Sequence, residues 1–334
     1  MDFGFTDDQR MLRDTVRDVL TRTCVPDTVR KVWNGEHATN DAWRTLAETG
    51  VLGMAASEAA GGMAMGEVDW VLLLEEAGYA ALPAPLSETM AIGLPLLEAC
   101  GTDAQKDRWL RAVIEGDAKI SIALADESLV FYAAQSDIVL VERGRQLYLV
   151  PTDELGARAQ SVVDRAISVS SIDGVPGAQY AMRTVDADTL ALAKARAMLA
   201  TAAQLVGLSR RMLDMSVQYA KDREQFGKPI GAQQAIKHRL ANALIRQEFA
   251  RPLVYRAAWE LQNRTDEHAA AVLLAKIYAT EAARFVAKEA LQVHGAIGYT
   301  IECDLHMWMK RVWTLSATHG TVRAHRERLA GLVL

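Results

Sequence analysis

The stretch SATHGTVRAHRERL, residues 316–329, sets a histidine directly before a Gly-Thr break in an otherwise helix-like run. An imidazole is a competent general base near neutral pH, so His319 has the chemistry to take a proton; the other reading is a packing or interface histidine beside a turn. A second polar stretch, KDREQFGKPIGAQQAIKHRLA at 221–241, joins two helix-like runs. There Arg223 offers a planar fork of donors suited to a phosphate, Phe226 an aromatic face, and residues 227–229 a turn. A helix–helix corner with exposed charges accounts for the same residues. A third stretch, QVHGAIGYT at 292–300, ends a long helical pattern with two glycines, which allow close backbone approach or simply a left-handed cap.

Other chemistries lack their residues. No Glu is followed three positions later by His, as a di-iron bundle would require, and H-E-x-x-H is absent. The nucleophile elbow G-x-S-x-G and the dinucleotide fingerprint G-x-G-x-x-G are also missing. The Gly-rich tract GGMAMG at 61–66 has neither a lysine nor a preceding strand, so it is not a phosphate loop. Three cysteines without a C-x-x-C give no disulfide scaffold or thiolate zinc site and fit a reducing cytoplasm. A net charge of -5 without long single-sign runs leaves no basic footprint, so neither nucleic acid nor a membrane is expected as a partner. The acidic start MDFGFTDDQRMLRD has no export-signal pattern, and no long uncharged apolar run predicts a membrane span.

At 334 residues, 50% of them hydrophobic, the chain is long enough for two or three packed subdomains. The first third reads as short helices: a Thr6-Asp7-Asp8 cap signal precedes Leu12, Val16, Val19 and Leu20 on one face, and Pro83 and Pro85 stop a buried helix. Between about 117 and 185 the period shortens in KISIALAD, DIVLVERGRQLYLVP and RAISVSS, predicting strands, with a hairpin turn at 142–145. Helical periodicity then returns at 189–222, 232–263, 266–293, 303–316 and 321–332, lengths that suit an antiparallel bundle.

Four segments, MDFGFTDDQRMLRDTVRDVL, AWRTLAETGVLGMAASEAAGG, YAKDREQFGKPIGAQQAIKHRLA and QVHGAIGYTIECDLHMWMKRVW, resemble in sequence and order those of the acyl-CoA dehydrogenase family. The resemblance covers nearly the whole chain. It implies a mainly α fold with a small β-domain: an N-terminal helical domain at 1–117, a compressed middle β-domain at 118–187, and a C-terminal four-helix bundle at 188–334. It also implies the family reaction, in which an α-proton and a β-hydride leave an acyl-CoA thioester to give a trans-2-enoyl-CoA, with FAD as the hydride acceptor. In the family dimer each FAD lies across the subunit interface, its ring on one chain and its ADP end gripped by the other.

By that resemblance Arg223 would pair the pyrophosphate, and Phe226 would line the adenosine path. Gln234 would also reach the cofactor, and Gln292, His294, Gly295 and Ala296 form the adenine-side segment, with Ala296 where the family more often has glycine. Thr321 and Arg323 follow the Gly-Thr turn whose residues often contact FAD. The flavin-side motifs are mostly missing: residues 123–137 read ALADESLVFYAAQSD, with Asp126-Glu127 as a remnant of the first motif, and the second is not found. The usual catalytic Glu position holds His319, and the alternative position on the first long C-terminal helix holds Ala197.

The expectation is a base-less subunit of a heteromeric α2β2 acyl-CoA dehydrogenase acting on bulky acyl-CoA thioesters. A longer homologous partner would carry the catalytic Glu, and an electron-transfer flavoprotein or similar acceptor would take the electrons. Two further readings stand beside it: a homomeric dehydrogenase with His319 as base, and a non-enzymatic scaffold without FAD.

Overall fold

A computed structural model describes residues 4–36, 39–124 and 127–333. The first helix, α1 (Asp7–Thr23), starts at a capping box: the Thr6 hydroxyl accepts from the Gln9 amide at 3.2 Å, and the Gln9 side chain accepts from the Thr6 amide at 2.9 Å. It buries Val16, Val19 and Leu20 and leaves Leu12 half-buried at the edge of the same face. Then come α2 (Pro26–Trp33), α3 (Asn40–Glu48), α4 (Glu67–Tyr79), a π-helical stretch (Ser87–Gly93), α5 (Leu94–Cys100) and α6 (Asp103–Ile114).

The middle region holds two small sheets. One orders β1 (Ile120–Ala123), β3 (Ile138–Arg143) and β4 (Gln146–Pro151), with β1 parallel to β3 and β3 antiparallel to β4. The other orders β2 (Leu129–Phe131), β6 (Val169–Ser171) and β5 (Arg158–Gln160), all antiparallel. The hairpin turn is tighter than the 142–145 reading. Glu142 and Arg143 still pair with Leu147 and Gln146, and the chain reverses at Gly144 with φ 61°. Glu142 is therefore a strand residue whose buried carboxylate accepts from Lys194 Nζ at 2.7 Å and so ties β3 to the helix that follows.

That helix, α7 (Ala187–Asp222), runs 36 residues from an Asp186 cap and forms the spine of the chain. A two-stranded ribbon, β7 (Glu224–Gln225) and β8 (Lys228–Pro229), turns the chain into α8 (Gln234–Gln262). The chain returns in α9 (His268–His294), then folds into α10 (Leu305–Ala317) and α11 (Val322–Val333). Helices α7, α8 and α9 pack on one another with α4 laid across α7, and their alanine-rich buried faces supply much of the core.

The α4–α7 crossing is held close by two glycines. A Cβ on Gly207 would lie 1.9 Å from the Glu75 carbonyl oxygen, and one on Gly78 would lie 2.1 Å from that of Gln204. Although alanine is the better helix former, Gly207→Ala should destabilise the chain by about 1–3 kcal/mol, because the two backbones must part. Urea unfolding checks this; a variant as stable as the parent would contradict so close a crossing.

Candidate functional site

Because α7 and α9 run in one direction and α8 returns between them, the end of α7, the start of α8 and the end of α9 meet at one end of the bundle. Two contacts fix this end: the Tyr219 and His294 rings stack at 4.4 Å, and Arg239 pairs with Glu289 at 2.7 Å. Arg223 caps α7 and is exposed, and among the described residues its side chain has no ion-pair or hydrogen-bond partner. Phe226 and Gly227 form the ribbon's turn with φ 57° and 75°, the pattern of a type I′ turn, which suits glycine at the second position but strains phenylalanine at the first. This turn holds the Phe226 ring 93% exposed. Gln234 opens α8, also exposed.

Gln292 on α9, and Gly295 and Ala296 just past its end, are exposed at the same end. Gly295 has φ 66° and ψ −147°, a conformation essentially reserved for glycine, and a Cβ there would meet nothing within 4 Å, so the surface above it is open. His294 differs from its neighbours. Its ring is buried in the Tyr219 stack, its Nδ1 lies 2.8 Å from the Ala290 carbonyl oxygen, and burial pushes its pKa below the usual imidazole range. The side chain thus anchors the segment, where the resemblance had placed it among the cofactor contacts.

His319 lies elsewhere. The chain leaves α10 through Thr318, His319 takes a left-handed φ of 57°, and Gly320 follows at 106°. His319 lines a cavity of about 250 Å³ with Leu124, Glu127, Ala197, Met198 and His325, and its Nδ1 lies 3.8 Å from Glu127 Oε1. Both expected base positions, His319 and Ala197, therefore converge on one small cavity, and the carboxylate in it comes from Glu127. That distance is beyond a hydrogen bond, so Glu127 does not fix the ring's tautomer. Asp126, the other half of the acidic remnant, falls outside the described residues.

Thr321 and Arg323 have local partners. The Thr321 hydroxyl accepts from the Ala324 amide at 3.3 Å, the N-cap contact of α11, and exposed Arg323 pairs with Glu327 at 2.9 Å one turn on. The Gly-Thr turn therefore also starts α11 through the Thr321 cap. The site residues thus fall into two groups. Ala197, beside His319, and Arg223 are 26 residues apart on α7, corresponding to about 39 Å, so one chain does not bring the groups together.

One buried carboxylate near this cavity escaped the sequence reading. Glu88, in the π-helical stretch, accepts from the Ser87 hydroxyl at 2.9 Å, and burial pushes its pKa up, opposed in part by His319. Its only sequence signal is a Ser-Glu pair inside an apolar run, after the proline loop. Among the described residues, no group of three or more His, Cys, Asp or Glu is placed to hold a metal ion, and no helix is long and apolar enough to cross a membrane.

Residues 6–117 match the family description "Acyl-CoA dehydrogenase, N-terminal domain", and residues 185–334 match "Acyl-CoA dehydrogenase, C-terminal domain". The chain is also 31% identical over 326 residues to the acyl-CoA dehydrogenase IpdE2 of Mycolicibacterium smegmatis, across 97% of this chain and 98% of that one. The chain belongs to the acyl-CoA dehydrogenase family. Its fold agrees: a chain of the ChsE4-ChsE5 complex from Mycobacterium tuberculosis superposes with a TM-score of 0.86 at 23% identity, covering 99% of this chain and 98% of that chain. A chain of the Tcur3481-Tcur3483 steroid ACAD G363A variant gives a TM-score of 0.86 at 26% identity, with 98% of each chain covered. As in other acyl-CoA dehydrogenases, N-terminal helices, a middle β region and a C-terminal helical bundle follow in that order.

Proposed function

We infer that this chain is the base-less subunit of a heteromeric, FAD-dependent acyl-CoA dehydrogenase, and that it supplies the ADP-side contacts of a site shared with a longer homologous subunit. The observation that carries this reading is the convergence of His319 and Ala197 on one cavity in which neither offers a carboxylate. Removing a proton α to a thioester while hydride leaves depends on a base held in line with the reacting carbon. A ring in place of a carboxylate changes both reach and direction, and a cavity of about 250 Å³ falls below the usual size for a ligand as large as an acyl-CoA.

The opposite end of the bundle fits a cofactor's anionic half. Arg223 offers unused guanidinium donors for a pyrophosphate, Phe226 a free aromatic face, and Gly295 an open backbone approach. FAD, bound there at its ADP end, would provide the hydride acceptor; positioning that end is the task of this chain. The two-component name of the Tcur3481-Tcur3483 steroid ACAD supports a heteromeric assembly acting on a bulky acyl-CoA; in this reading the assembly is α2β2 and an electron-transfer flavoprotein or similar protein takes the electrons.

The runner-up, a homomer using His319 as base, draws on the carboxylate of Glu127 beside the ring. His319→Ala separates the two readings. In the assembled enzyme, turnover of an acyl-CoA should stay within about twofold of the parent. A loss on the order of 100-fold with flavin retained, the scale of a missing general base, would instead establish His319 as the base.

A further inference from the structure

Helix α11 packs on α9 with little apolar surface. Among its described residues only His325 is buried; Val322, Ala324 and Leu329 are half-buried and the rest are exposed. The His325 ring is 2% exposed, and neither of its nitrogens is hydrogen-bonded. It lies against the turn that carries His319: a Cβ on Gly320 would fall 2.6 Å from His325 Cε1. A neutral ring therefore leaves its N–H and its lone pair unmet, and a protonated ring would put a whole charge in the same place.

The surroundings make that charge costly. Lys276 on α9, fully buried, donates to the Leu315 carbonyl at 2.6 Å, and Arg328 lies one turn on along α11; both repel a proton on the ring, as does His319 in the preceding turn. The nearby carboxylates face other cations: Glu281 on α9 pairs with Arg326 at 2.6 Å, Glu327 with Arg323 at 2.9 Å, and Glu142 on β3 with Lys194 at 2.7 Å. Glu127 faces His319 at 3.8 Å, and buried Glu88 also acts on His319. Among the described residues no carboxylate comes within ion-pair distance of His325, and the Gly320 backbone favours its proton without meeting hydrogen-bond geometry. Burial, together with repulsion from Lys276 and Arg328, holds the ring down to about 4.

We propose that α11 is an acid-released clasp: protonation of His325 frees the helix from α9 together with the Gly320 turn, and so opens the cavity at His319, whose wall includes Ala324, His325 and Arg328. The sign follows from the ring. In water an imidazole takes its proton near pH 6.5, whereas the docked ring resists it down to about 4, so the released helix binds the extra proton. Docking is at full strength above about pH 6.5 and weakens as pH falls toward 4. The clasp does not rest on the shared-site reading.

Amide hydrogen exchange of the full chain, followed peptide by peptide and corrected for the intrinsic rate at each pH, reads the clasp. Between about pH 7.5 and pH 5, protection across α11 and the 318–321 turn should fall roughly 30-fold, the ratio set by ring values of about 6.5 released and about 4 docked, while α7 keeps its protection. His325→Phe, a ring without a titrating nitrogen, should flatten this profile, and His319→Ala should retain it. Flat protection in the parent, a loss shared with α7, a loss that persists in His325→Phe, or one that disappears in His319→Ala would each overturn the proposal. Should His325→Phe fail to fold, the parent and His319→Ala profiles decide. Flavin content and turnover do not enter this test, so its failure is distinct from failure of the shared-site reading.

Discussion

Arg311→Met should destabilise the chain by about 3–5 kcal/mol, the largest single-residue stability effect expected here, because it strands a buried carboxylate. Arg311 and Asp164 are 2% and 1% exposed and form an ion pair. The Arg311 guanidinium also donates to the Leu82 carbonyl at 3.1 Å, and the other Asp164 oxygen accepts from the Ala166 amide at 3.1 Å. These bonds fasten α10 to the middle region and to the loop after α4. In the single variant the carboxylate keeps its burial and loses its counter-charge.

The double variant Arg311→Met/Asp164→Leu, which removes both charges and fills their space, should recover much of the loss, since a pair of this kind often adds little over an apolar replacement. Urea unfolding of the parent, both single variants and the double variant measures the coupling. Additive losses would show that the pair does not act as a unit.

Arg223→Ala should lower the affinity of the assembled enzyme for FAD by roughly 30-fold or more, corresponding to about 2 kcal/mol or above for a charge-assisted contact to pyrophosphate. The unassembled chain should lose almost no stability, because Arg223 is exposed and has no ion pair among the described residues. Arg223→Lys should fall between parent and alanine variant: it keeps the charge and loses the planar fork. Fluorescence titration of the flavin-depleted enzyme with FAD reads the effect. Unchanged affinity in the alanine variant would remove Arg223 from the cofactor site.

The local signals in the sequence translate well into structure where neighbours decide the outcome. The Thr6 cap, the strand runs and the long helical periods each depend on residues a few positions apart, and α7 to α11 begin and end within a few residues of the expected limits. The hairpin turn was placed too early because Glu142 looks like a turn residue, whereas its partner Lys194 lies 52 residues away on another element.

The cluster of Lys276, His325 and Arg328 could not be read from spacing. A lysine within an apolar helix and a histidine on a terminal helix look ordinary until packing buries them. The convergence of His319 and Ala197 was likewise invisible to periodicity; it became legible through resemblance, and the cavity then gave it physical content.

The shared-site account is tested most directly by co-expressing this chain with a longer acyl-CoA dehydrogenase subunit that carries the catalytic Glu, and by measuring the subunit ratio and flavin content of the purified complex. The account predicts equal amounts of the two chains and one FAD per pair, with acyl-CoA turnover in the complex and none in this chain alone. One FAD per chain in an active homomer of this chain would contradict it.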